Sequence, residues 1–205
     1  MLTFGKVVGG LATLVGVVPD RRDRFQARLK QLQRMGFPPG VNVGRYAKAS
    51  YGPGQVIQLA AALELIQTGF SPERAIKTVL SWWDHIRRAV LLARDSGELV
   101  NVVFLPKDFG GLTSATTESE DDRIAWTGDG AVTIKLSGPE DPDLQSDLAQ
   151  IATAPRAVML NVTHMVSALT QGLDAEGADT ELFWAETNPW RSEKDWAGRP
   201  IGTAL

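Results

Sequence analysis

Cysteine is absent from this 205-residue chain. That excludes disulfides, thiolate zinc sites, iron–sulfur clusters and a cysteine nucleophile. Histidine is scarce: His85 and His164 are the only two, too few for a histidine-rich metal site. No apolar run is long enough to cross a bilayer. The nearest, residues 7–18, is glycine-rich and is followed by Pro19-Asp20-Arg21-Arg22-Asp23-Arg24 with no small-residue cleavage pattern. It reads as a buried helix, not a leader, and the expected setting is the cytoplasm. Walker, nucleophile-elbow and zinc patterns are missing, as is any solenoid repeat. The acids Glu118, Glu120, Asp121 and Asp122 lack the order of a calcium loop and read as solvated. The expectation is a binding protein without cofactor or metal, not an enzyme.

What the chain does have is charge, unevenly placed. Residues 1–95 hold 14 Lys/Arg against 6 Asp/Glu, a net of +8, whereas residues 96–205 hold 7 against 18, a net of −11. A basic half joined to an acidic half suggests two modules, the basic one suited to a polyanion such as DNA. The sign changes near Ser96-Gly97.

Periodicity places the motifs. Residues 7–17 give a first short helix. Residues 23–35 give a second, with Phe25, Leu29 and Leu32 on one stripe and basic residues on the other faces. Gly36 and Pro38-Pro39-Gly40 stop it. A small hairpin over 41–52 would carry Arg45 and Lys48 near its tip. A helix over 53–67 follows, and Ser71-Pro72-Glu73 opens another. This last helix is expected to run unbroken to about residue 94. Its Ile76, Val79, Trp83, Ile86 and Val90 follow the spacing of a coiled-coil seam, which reads either as a dimer contact or as one core-facing stripe. Beyond residue 96 the pattern turns to β: strands over 99–105, 123–127 and 131–136, the last two flanking Gly128-Asp129-Gly130. A helix from Pro142 to about residue 153 follows, then either a helix over 155–173 or a strand over 156–162 with a shorter helix. Trp184, Trp190 and Trp196 sit in a polar tail, where buried indoles predict an arm packed on the domain or on a partner. The fold class expected is α+β: a unit at 1–80, a linking helix at 72–95 and an acidic α/β part at 96–205.

The order helix, basic helix, Gly36-Phe37-Pro38-Pro39 stop, hairpin ending in Tyr51, helix, then the turn Gly69-Phe70-Ser71-Pro72-Glu73 with Ile76 beyond it resembles the winged helix-turn-helix of MerR-type regulators. The resemblance covers the first 80 to 90 residues. It implies a dimeric, double-stranded-DNA-binding transcriptional regulator whose residue 72–94 helix pairs with its mate. Charge points the same way. Eight basic residues and two acids lie between Asp20 and Lys48, suited to phosphate neutralisation and guanine-edge readout from a groove-inserted helix. The candidate DNA contacts are Arg21, Arg22, Arg24, Arg28, Lys30, Gln31, Arg34, Arg45, Tyr46 and Lys48, with Tyr51 assigned to the core. The acidic half would take a small-molecule or protein effector. The alternative is a protein-interaction module whose basic half contacts an acidic partner, or its own acidic half.

Overall fold

The structure is a computed structural model, and it describes residues 1–41, 49–96, 98–105, 130–136, 149, 151–152, 157–194 and 201. It is an α+β protein, mostly helical, with two small antiparallel sheets among the described residues. A two-residue strand β1 (Leu2–Thr3) leads into α1 (Phe4–Leu14). A short 3-10 turn (Pro19–Arg21) opens α2 (Arg22–Arg34). Strand β2 (Ser50–Tyr51) pairs with β1, Leu2 opposite Tyr51. Then come α3 (Pro53–Gln67), α4 (Pro72–Ser81) and α5 (Trp83–Ser96). The second sheet has β3 (Leu99–Leu105) at its centre, between β4 (Gly130–Leu136) and β5 (Val158–Asn161). Helix α6 (Val162–Ala175), the short α7 (Thr180–Ala185) and a 3-10 turn (Asn188–Arg191) complete the described chain.

Local chemistry accounts for the helix ends. Gly36 has φ +78° and Gly69 φ +100°, a region that costs glycine nothing. Each lets the next amide turn back: Phe37 N–H donates to Leu32 O at 3.0 Å and Phe70 N–H to Leu65 O at 3.2 Å. Ser71 Oγ accepts from the Arg74 amide at 3.3 Å, with Pro72 in the first turn of α4.

The expected unbroken helix over 72–94 is two helices. At Trp82 the backbone leaves the helical region (φ −110°, ψ 24°). The bend lets two stripes reach two partners. Ala75 and Val79 on α4 pack in the core beside α3, and Ile86, Ala89, Val90 and Ala93 on α5 pack toward α6 and the β3 sheet. A straight rod would aim one stripe away from its partner. Of the two readings of residues 155–173, the strand followed by a shorter helix is the one observed, as β5 and α6. Strand β4 pairs along its length with β3, Leu99 opposite Leu136. The expected strand at 123–127, the loop at 106–122 and the hairpin tip at 42–48 lie outside the described residues. So does the 142–153 helix, apart from 149, 151 and 152, which are helical.

The charge boundary is not a core boundary. One cluster of buried residues draws on α1 to α5, β3, β5, α6 and α7. Helix α6 packs along α1 at very short range, because glycines face each other there. A Cβ on Gly172 would lie 2.7 Å from Thr13 Cβ, 2.8 Å from Gly10 O and 2.9 Å from Gly10 Cα. A Cβ on Gly10 would lie 2.8 Å from Leu173 Cδ2. The glycines that weaken α1 as an isolated helix are what let a second helix approach its backbone.

One partly buried acid on α3 gives a pH signature. Burial raises the Glu64 carboxyl above its ordinary pKa, with the His164 charge opposing. The folded state therefore holds the proton more tightly than the unfolded state, and stability falls as pH rises past the ordinary glutamate value. Glu64→Gln is expected to raise Tm at pH 7 slightly, by no more than about 2–4 °C. Near pH 3 the carboxyl is protonated in both states and the gain should vanish. Thermal melts at the two pH values check the sign; a variant less stable at pH 7 contradicts it.

Candidate nucleic-acid interface

Helix α2 puts its apolar stripe inward. Phe25, Leu29 and Leu32 are buried, whereas Arg21, Arg22, Arg24, Arg28, Lys30, Gln31 and Arg34 are exposed. Spacings of four place Arg24 and Arg28 on one flank and Lys30 and Arg34 on the other. Among the described residues Arg21, Arg24, Arg28, Lys30 and Arg34 make no ion pair or side-chain hydrogen bond. Arg22 does: its guanidinium pairs with Glu176 just past the end of α6, and the Arg22 side chain is 50% exposed. Asp20 and Asp23 are exposed beside the basic residues and dilute their field. Arg45, Tyr46 and Lys48 lie outside the described residues.

The helix is anchored from beneath. Tyr51 is fully buried, as expected of a core residue, and its ring stacks on Phe4 with centroids 6.2 Å apart. Gln33 Nε2 donates to the Tyr51 hydroxyl, tying α2 to β2. Burial raises the Tyr51 pKa, against the lowering effect of Gln33, so the phenol stays neutral. Lys6 Nζ donates to Gly177 O at 2.6 Å, a second tie between the α1 region and the end of α6.

The residues proposed for dimerisation are placed differently from that expectation. Val79, Ile86 and Val90 are fully buried within one chain and have no surface to offer a mate. Ile76 is half-buried against the same core. Trp83 is also half-buried and meets Trp190 edge to face, centroids 5.7 Å apart at 74°. The seam spacing reports a core-facing stripe, the other of its two readings.

Sequence reasoning missed the grip of the tail on α5. Arg87 is bridged by Asp84 at 2.6 Å and by Glu193 of the tail. Arg191 pairs with Asp95 at 2.6 Å. The hydrogen bond from Arg191 holds the Asp95 carboxyl below its usual range. Arg94 donates to Thr187, and Arg88 Nε to Ile201 O at 3.3 Å. Burial lowers the Arg94 pKa. Ile201 itself is fully buried, and Trp184 is nearly so, donating from its indole to Thr170 at 2.9 Å. The tryptophan-bearing tail is thus a packed arm on its own domain. Trp196 lies outside the described residues. The useful signal was present in part: basic residues at 87, 88 and 94 face a tail rich in acids.

These contacts divide the positive charge into two groups. The arginines of α5 are engaged by the tail, whereas among the described residues the basic face of α2 is open except at Arg22. His85 meets Trp82 edge-on at 5.2 Å, and the His164 amide is capped by Asn161 Oδ1 at 2.8 Å. Among the described residues no group of three His, Asp or Glu could hold a metal ion. Among them, too, no helix is long and apolar enough to cross a membrane. Comparison with protein-family models, with curated proteins and with solved structures finds no match to this chain.

Proposed function

We propose that this protein is a transcriptional regulator of the bacterial cytoplasm that binds double-stranded DNA through α2. One observation carries the reading: Arg24, Arg28, Lys30 and Arg34 of α2, with Arg21 at its N-terminal edge, stand exposed and without an ion pair or side-chain hydrogen bond among the described residues, on a helix whose opposite face is locked into the core. An α-helix fits the major groove, where arginine forks read guanine edges and lysines meet phosphate. The resemblance of residues 1–80 to a MerR-type winged helix-turn-helix supports the same helix and adds Arg45, Tyr46 and Lys48 on a wing against the adjacent backbone. Each chain presents one such helix, and two copies on a two-fold site would set them about 34 Å apart, one DNA turn. Because Val79, Ile86 and Val90 are buried, pairing would use other surfaces.

Fluorescence anisotropy on duplex DNA from the protein's own promoter region tests this. Log K should fall with log salt at a slope of about −4 to −5 per chain if all five exposed charges meet phosphate. The double variant Arg24→Ala, Arg28→Ala should cut that slope by about 2 and weaken binding at least about tenfold. Binding that ignores salt, or that the double variant leaves intact, sinks the reading. In that case a complex with an acidic protein, indifferent to added DNA, becomes the better account of the same face.

A further inference from the structure

A cleft of about 250 Å³ opens where three parts of the chain converge. Its floor is the start of α3, with Gln55 and Gln58, and its walls include Trp83 of α5 and Trp190 and Glu186 of the tail. The volume is below the roughly 300–1,000 Å³ of drug-sized pockets, so the occupant is no larger than one substituted ring.

Gln58 stands out in its helix. Residues 56–63 read Val-Ile-Gln-Leu-Ala-Ala-Ala-Leu, and all eight are buried. Gln58 is the one polar side chain among them, and it is 9% exposed. A buried carboxamide ordinarily finds partners in its own chain, because losing water without a replacement costs free energy. Among the described residues the Gln58 amide makes no hydrogen bond. Nor are its nitrogen and oxygen sealed from water. The amide therefore opens into the cleft that the residue lines.

The neighbouring groups set the chemistry. Gln55 lies three residues earlier on the same face, and its Oε1 accepts from the Gly52 amide at 2.9 Å, which leaves its nitrogen to donate. Gly54 lies four residues before Gln58, on the face that the indoles approach: a Cβ there would lie 3.7 Å from Trp83 Cζ2 and 3.7 Å from Trp190 Cζ2. The two rings meet edge to face, centroids 5.7 Å apart at 74°, so they form one continuous apolar wall. The lining offers no free charge. Glu186 is its one charged residue, and the Met1 amino group occupies it at 3.1 Å. An ion of either sign would find no counter-charge here, whereas an uncharged polar ligand needs none.

We propose that this cleft binds a small uncharged aromatic carboxamide. Its ring lies against the indole wall. Its amide pairs with that of Gln58, N–H to Oε1 and C=O from Nε2–H, which uses both halves of each carboxamide. The cleft shares no residue with the basic face of α2, so its test is independent of DNA binding.

NMR titration of the full-length, ¹⁵N-labelled protein with nicotinamide follows the side-chain amides of Gln55 and Gln58 and the indole N–H groups of Trp83 and Trp190. All should shift saturably. The ketone 3-acetylpyridine keeps the ring and the carbonyl but has no amide N–H, and should bind at least about fivefold more weakly. Gln58→Met keeps the volume and removes the amide. It should weaken nicotinamide at least about fivefold and erase the preference over the ketone. Its Tm should match or exceed the parent's, because the amide holds nothing within the protein. The proposal is overturned by no saturable shift up to about 50 mM nicotinamide, by equal binding of the ketone, or by undiminished binding to the Gln58→Met protein. A Gln58→Met protein that melts more than about 4 °C below the parent also overturns it, since the amide would then be a structural bond.

Discussion

Gly172→Val should lower the unfolding midpoint by roughly 6–12 °C, the equivalent of about 3 kcal/mol or more in a chain of this size. The reason is the closeness of α1 and α6. The new Cβ would sit 2.8 Å from Gly10 O and 2.9 Å from Gly10 Cα, both backbone atoms that no rotamer change can move. Overpacking in a well-packed core costs about 1–3 kcal/mol when side chains can yield, and here the backbone must yield. Helix propensity does not rescue the change, because valine gains only a few tenths of a kcal/mol over glycine. Two glycines of α1 grade the effect. Gly10→Ala meets Leu173 Cδ2 at 2.8 Å and Cγ at 3.0 Å, side-chain rather than backbone atoms, and should cost less. Gly5→Ala meets nothing within 4 Å and should stabilise by up to about 1 kcal/mol. Urea unfolding of the three variants gives the ranking directly. A Gly172→Val protein as stable as the parent would show that the helices do not touch there.

A fragment of residues 1–96 should not fold. It contains all of the basic half, and the charge pattern alone recommends it as a module. The core argues otherwise. Seven of the eleven residues of α1 are buried, which requires cover on more than one side. Helix α6 supplies one of those covers. Four of its core side chains, Val162, Met165, Leu169 and Leu173, are almost completely buried. At about 1.5–3 kcal/mol each their burial is worth roughly 6–12 kcal/mol. That is comparable with the entire stability of an ordinary domain, about 5–15 kcal/mol. The fragment also loses the tail's contacts with Arg87, Arg88 and Arg94. Far-UV circular dichroism and amide NMR dispersion should show an unfolded or fluctuating chain. A cooperatively melting 1–96 fragment would restore the two-module view. It follows that deleting the acidic half is not a way to unmask the basic helix; substitution of Glu176 or Arg22 perturbs their contact without removing the core.

Much of the local structure was legible in the residues themselves. Apolar spacing located the basic helix to within a residue at each end, and Gly36 marked its stop. Pro53, Gly69, Ser71 and Pro72 bounded α3 and the start of α4, because caps and breakers act on neighbours a few residues away. β-branched residues marked β3. The basic candidates on the described part of the interface, Arg21 to Arg34, all proved exposed, since an amphipathic stripe dictates which side faces water.

Long-range choices were beyond local pattern. A spacing of three and four says that a stripe is covered, not what covers it, so Val79, Ile86 and Val90 read equally as seam or core. Only the packing of α4 and α5 on α3, α6 and the sheet decided for the core. Net charge counted the arginines of α5 together with those of α2. The tail, more than ninety residues away in sequence, is what separates them. Most of all, the glycines of α1 looked like helix weaknesses, because their use appears only when Gly172 lies against them. Composition and periodicity thus determined an α+β architecture with one basic helix turned outward. Tertiary structure decided that both halves share one core, since a helix apolar on nearly every side has to be covered by whichever elements the fold brings to it.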